Sequence, residues 1–248
     1  MTDASSTKSD RDLQDALINY LSDAQLRRVA GGSLPFLPGQ EERAGRFARF
    51  LARRYYRDRL ARSFRYSPRF GPAADTLVDT PDFDAVLDEC VLGSVVSAER
   101  VGNLALDRLR RWPGPGPWWD DLLQYERLFF LQVASAENAV AAAFLQPAPS
   151  ARCRPFSWDL PELLLRLKSG AATGDELRRE VTLLFSRTRW GRIYVVEVDA
   201  GTAAVFYAAL THFAPSQIAE ATSLPAATVQ QALTALAQVG ALAASSLE

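Results

Sequence analysis

The side chains able to do chemistry are few. His212, in "ALTHFAPSQ", is the only histidine in 248 residues. A histidine-based triad would have to use it, and a site with several histidine ligands has no residues to build it. Its place beside a helix end suits a cap or a surface residue. Cys90 and Cys153 match no redox or zinc spacing, and Cys90 in the apolar run "CVLGS" reads as an inert core thiol. The 29 Asp and Glu residues leave carboxylate acid–base chemistry open, but none sits in a motif that singles it out. The expectation is a chain with no catalytic residue and no metal site or cofactor of its own. An enzyme built on a carboxylate pair stands as a rival, to be recognised by activity of the isolated protein.

Spacing says more about binding than about catalysis. The stretch "SQIAEATSLPAATVQQALTALAQVGAL", residues 216–242, has helix-turn-helix cadence. A DNA-reading version would place polar and basic side chains at the start of its second helix. Here the only polar members of that helix are Thr228, Gln230, Gln231, Thr234 and Gln238, and residues 193–248 contain no Lys or Arg. Non-specific DNA affinity comes from cations that release condensed counterions, so this unit lacks the means to hold phosphate. Upstream, "RIYVVEVD" is the clearest strand signal in the chain, a β-branched and aromatic run closed by a glycine turn. A sheet edge beside such helices can take an extended peptide as an added strand, which needs no basic residues.

The elements that must position these residues follow from periodicity and breakers. Residues 1–10 read as a disordered leader, and the terminal "LE" as a tag scar. Residues 11–146 read as a bundle of four or five helices. Within it Ala44, Phe47, Ala48, Leu51 and Tyr55 share a face expected to pack inward. A long helical stretch over 79–112 is weakened by Gly93 and Gly102, and a further helix should run from Trp119 towards Leu145. Residues 147–165 read as a proline-rich connection containing the domain boundary, and 166–248 as a small winged-helix-like module. The fold class is therefore mainly α, a helical bundle followed by a small α+β module. With no secretory segment and no apolar run of membrane-spanning length, a soluble cytoplasmic protein is expected.

The stretch "RAGRFARFLARRYYRDRLARSFRYSPR" is the strongest charge feature. Ten arginines against the single Asp58 give residues 43–69 a net charge of +9. Arg46, Arg49, Arg53 and Arg57 recur on one helix face, beside Tyr56. Three assignments stay open: pairing with the acidic stretch 79–89, docking of an acidic protein or peptide, and nucleic acid bound by phosphate contact and stacking. Trp118 and Trp119 in "PGPGPWWDD" read as a cap on the bundle core or as a partner contact.

The segment from Gly191 to Leu242 resembles the peptide-binding modules called RiPP recognition elements, the PqqD-like winged helices that bind leader segments of ribosomally made peptides. The whole layout is similar to the partner subunits of multinuclear non-haem iron-dependent oxidative enzymes. The resemblance implies a non-catalytic adaptor that presents a precursor peptide to a metal-dependent modifying enzyme, in a heterodimer whose iron belongs to that enzyme. Ile193, Tyr194, Val195, Val196, Glu197 and Val198 would then form the peptide-pairing edge. Thr228, Gln231, Ala232 and Ala235 would wall the groove, and Arg46, Arg49, Arg53, Tyr56, Arg57, Trp118 and Trp119 would meet the partner. The alternative is a transcriptional regulator in which the arginine helix contacts phosphate, with a steep salt dependence as its mark.

Overall fold

A computed structural model describes residues 4–29, 41–136, 146–212 and 214–243. It shows a mainly α protein with a small α+β unit. Helix α1 spans Ala4–Ser22, so it begins inside the stretch expected as a leader. Helix α2 (Ala24–Val29) follows at once, and α3 runs over Glu41–Ser63. The long helical stretch expected over 79–112 is two helices, α4 (Pro81–Asp88) and α5 (Val95–Leu109). The break lies at Gly93, whose φ of +82° suits no side-chain-bearing residue well. Ser94 then caps α5 by accepting from the Ser97 amide at 3.1 Å. Helix α6 covers Trp119–Ala134, and residues 137–145 of the longer helix expected there lie outside the described residues.

The expected 147–165 connection is instead structural. It carries strand β2 (Arg152–Phe156) and the start of helix α7 (Leu160–Ser169), after the short strand β1 (Gln146–Pro147). Proline is tolerated in both places: Pro155 lies in a sheet-edge strand, and Pro161 in the first turn of α7. Strands β3 (Val181–Arg187) and β4 (Ile193–Glu197) complete an antiparallel sheet ordered β2-β3-β4. Helices α8 (Ala200–Ala208), α9 (Pro215–Thr222) and α10 (Ala226–Gln238) follow, and β5 (Leu242–Ala243) returns to pair with β1.

The sheet sits between two cores, and alternation along β3 divides it between them. Val181, Leu183 and Phe185 face the bundle core, with Phe156, Trp158 and the α7 leucines. Leu184 faces the other way, with Cys153, Val205, Phe206, Ile218 and Leu233 beneath α8, α9 and α10. Both faces of β3 are buried, which is why its sequence, "VTLLFSR", does not alternate cleanly. Among the described residues, no helix is long and apolar enough to cross a membrane.

Candidate functional site

Backbone geometry decides what β4 can offer. It pairs with β3 through Leu183↔Glu197, Leu184↔Val196, Phe185↔Val195, Ser186↔Tyr194 and Arg187↔Ile193. The amide of Val198 donates to Thr182 O at 2.9 Å, and that of Thr188 donates to Arg192 O at 2.9 Å. In an antiparallel ladder the bonded residues alternate, so Arg192, Tyr194, Val196 and Val198 point their amides and carbonyls at β3. Ile193, Val195 and Glu197 point theirs away, and no strand among the described residues covers that edge. The side chains divide likewise: Val195 packs on the bundle core, while Val196 and Val198 pack on the core beneath α8–α10. Of the six residues expected to meet a peptide, three therefore present backbone groups to the edge.

Both ends of this edge carry arginines. At one end Arg179 donates to Glu197 (2.8 and 3.2 Å) and to Asp159 (2.7 Å), the N-cap of α7. Its guanidinium holds both carboxyls below their usual range. At the other end, the hairpin loop puts Trp190 into solvent, 82% exposed, with the Arg189 guanidinium 4.7 Å from its ring centre. Arg192 lies 4.9 Å from the Tyr194 ring centre. Trp190 and its arginines were not anticipated from sequence, although "RTRWGR" does join a turn glycine to an aromatic residue and three cations.

Helix α10 is fixed against the end of β3. Ser186 Oγ donates to Val239 O at 2.8 Å, and Gly240 (φ +75°) lies so close that a Cβ there would stand 2.7 Å from Arg187 O and Thr188 Cα. The outer face of α10 holds a shallow depression of about 450 Å³, lined by Gln231, Ala235 and their neighbours Ala227, Gln230, Thr234 and Gln238. Thr228 is also exposed, one turn nearer the start of the helix. Ala232 corrects the expectation: it is 7% exposed and belongs to the core under α8–α10, because it follows Val229 and precedes Leu233 and Leu236 on the apolar face.

The arginine row is engaged at home. Arg49 makes a bidentate pair with Asp88 (2.6 Å for each bond), Arg53 reaches Asp84 and Asp79, Arg57 reaches Asp79, and Arg46 pairs with Glu42 one turn away. Three of the residues expected at a partner surface are core residues. Tyr56 is fully buried, against Tyr55 and Phe130, and burial drives its hydroxyl far above the usual tyrosine range. Trp118 and Trp119 are buried edge-on to Phe70. Indole and phenol rings are large enough that the bundle gains more by enclosing them than by leaving them in solvent.

The chemistry-bearing singletons are quiet. His212 lies just beyond the turn that follows α8, its amide donating to Ala208 O at 2.9 Å. Both cysteines are buried and free, and burial raises both thiols, Cys153 to about 11. The most perturbed carboxyl is one that sequence reading passed over. Glu126 on α6 is fully buried and accepts from the Tyr66 and Ser67 amides (2.6 and 3.3 Å), and burial pushes it up to about 7. Its signal was a lone acid within the apolar run "LLQYERLFFLQ". No family model and no curated protein matches the chain, so its geometry carries the functional argument.

Proposed function

We propose that the chain is a peptide-binding adaptor that takes an extended segment of a ribosomally made precursor as a fourth strand on β4 and presents it to a metal-dependent modifying enzyme. The observation that carries this is the edge of β4 that no strand among the described residues covers, where Ile193, Val195 and Glu197 turn their backbone amides and carbonyls outward. A row of such groups on an edge strand is a template for strand addition. The succession of β4, α8, α9 and α10, the sequence resemblance to RiPP recognition elements and the cation-free C-terminal stretch support the same reading. Trp190 and Tyr194 at one end of the edge would stack on apolar or aromatic anchors of the peptide. The regulator reading loses support because the arginines it needs for phosphate already face Asp79, Asp84 and Asp88.

Val195→Pro tests this, because it removes an outward amide and leaves the ladder to β3 intact, whereas Val196→Pro removes a ladder bond. In the native host the tagged protein should bring down a short precursor peptide and an iron-containing enzyme. Val195→Pro should lose the peptide at a small cost in thermal midpoint, and Val196→Pro should lose stability outright, by about 3 kcal/mol. Peptide retained by Val195→Pro, or recovery of salt-eluted DNA in place of a protein partner, would overturn the proposal.

A further inference from the structure

The face of α3 expected to pack inward is only partly covered. The buried positions step by four along Ala48, Ala52, Tyr56 and Leu60, which leaves Phe47 49% and Phe50 55% exposed. The two rings stack on each other, centres 6.2 Å apart and planes 18° from parallel, beside a groove of about 630 Å³ between α1 and α3. Helix α1 contributes Leu17 and Leu21 to it, and α3 contributes Phe47, Phe50, Arg43 and Arg46. Among the described residues, no acidic side chain lines it. Among the described residues Arg43 makes no ion pair, and the one ion pair of Arg46 is with the solvent-exposed Glu42.

We infer that this groove docks an amphipathic helix of a partner protein, with acidic residues flanking its apolar stripe. Two roughly facing helices with apolar lining leave the place of a third, and a helix laid in a groove offers anchors at i, i+3, i+4 and i+7 to fill it. Two aromatic rings and two leucines supply the apolar contact. The arginines select the partner, since a guanidinium takes a carboxylate in a two-pronged bond and stacks on rings, while a basic helix would be repelled. This inference stands apart from the reading of β4, which lies in the other half of the molecule and uses backbone rather than side chains.

The test uses the full chain and two synthetic helices with one leucine stripe, flanked by glutamates in the first and by lysines in the second. Titration calorimetry should show the glutamate helix binding at least about tenfold tighter than the lysine helix. Phe47→Ser with Phe50→Ser should abolish that binding, and Arg43→Glu should reverse the preference. Because the replaced side chains are half exposed, circular dichroism and the thermal midpoint should stay near those of the parent. Equal binding of the two helices, binding indifferent to these substitutions, or no binding would overturn the inference. So would a dimer in sedimentation that the Phe47→Ser, Phe50→Ser variant dissociates, which assigns the face to a second copy. Binding seen only once residues 30–40 are replaced by a glycine–serine linker would assign the groove to the chain's own segment.

Discussion

Glu126 shows how one side chain couples the fold to pH. Its carboxyl is enclosed by the bundle and satisfied on one oxygen by the amides of Tyr66 and Ser67, while the other oxygen has no hydrogen-bond partner among the described residues. Burial favours the protonated form, so the folded state holds this proton up to about pH 7, whereas the unfolded chain releases it near the ordinary glutamate value of 4.5. The contribution is fully present below the unfolded value and is lost as pH rises through the folded one. Urea midpoints should therefore fall between pH 5 and pH 8, with this group accounting for about 3 kcal/mol of the change. Glu126→Gln keeps an acceptor for the two amides and removes the charge, so it should flatten that part of the profile and raise stability at pH 8. An unchanged slope in the variant would place the pH dependence elsewhere. The paired arginines are a contrast: Arg49→Ala should cost less than about 1 kcal/mol in the same assay, since its partner Asp88 is exposed.

Elements were legible where a local rule and the tertiary context agree. The β4 strand, the helix pair α9–α10 and the helices of the bundle were readable from period and breakers. The region 147–187 was not, because its meaning is non-local. Its prolines read as a linker, but Pro155 and Pro161 fall at positions of β2 and α7 that need no amide, and β3 is apolar on two faces that belong to different cores. Phe47 misled for a related reason. Periodicity places it on an apolar stripe, but the stripe is wider than the seam that α1 and α6 cover, and the seam follows Ala48 and Ala52 instead. Among the site residues, the edge strand was legible, whereas the division of its backbone groups required the register. The arginines and the acidic stretch 79–89 were both visible, and pairing between them was one of three open assignments; which arginine meets which aspartate, across 22 to 39 residues, required the structure. At the junction of α10 with β3, Gly240→Ala should destabilise by at least about 2 kcal/mol, since φ is left-handed and the new methyl would meet backbone atoms. Chemical denaturation reads this directly, and a shift below about 0.5 kcal/mol would mean that the turn relaxes freely.

At the scale of the whole molecule, the sheet ties the two cores together. Phe185 fills one and Leu184 the other from adjacent positions, and Arg187 reaches across to the carbonyls of Gln132 and Ser135 at the end of α6. Unfolding should therefore be one transition, with tryptophan fluorescence and far-ultraviolet dichroism giving coincident curves. An isolated 166–248 fragment lacks β2 and leaves Leu183 and Phe185 bare, so it should show no dispersed amide resonances. A folded spectrum from that fragment would show that the second core is self-sufficient. The shared strand also bears on inheritance. A substitution in β3 is judged at once by two interiors, so this strand should vary more slowly than the helices on either side. Any exchange of the C-terminal half with another protein would have to carry Arg152–Glu197 as one piece, because a crossover inside it would hand each half a sheet made for the other.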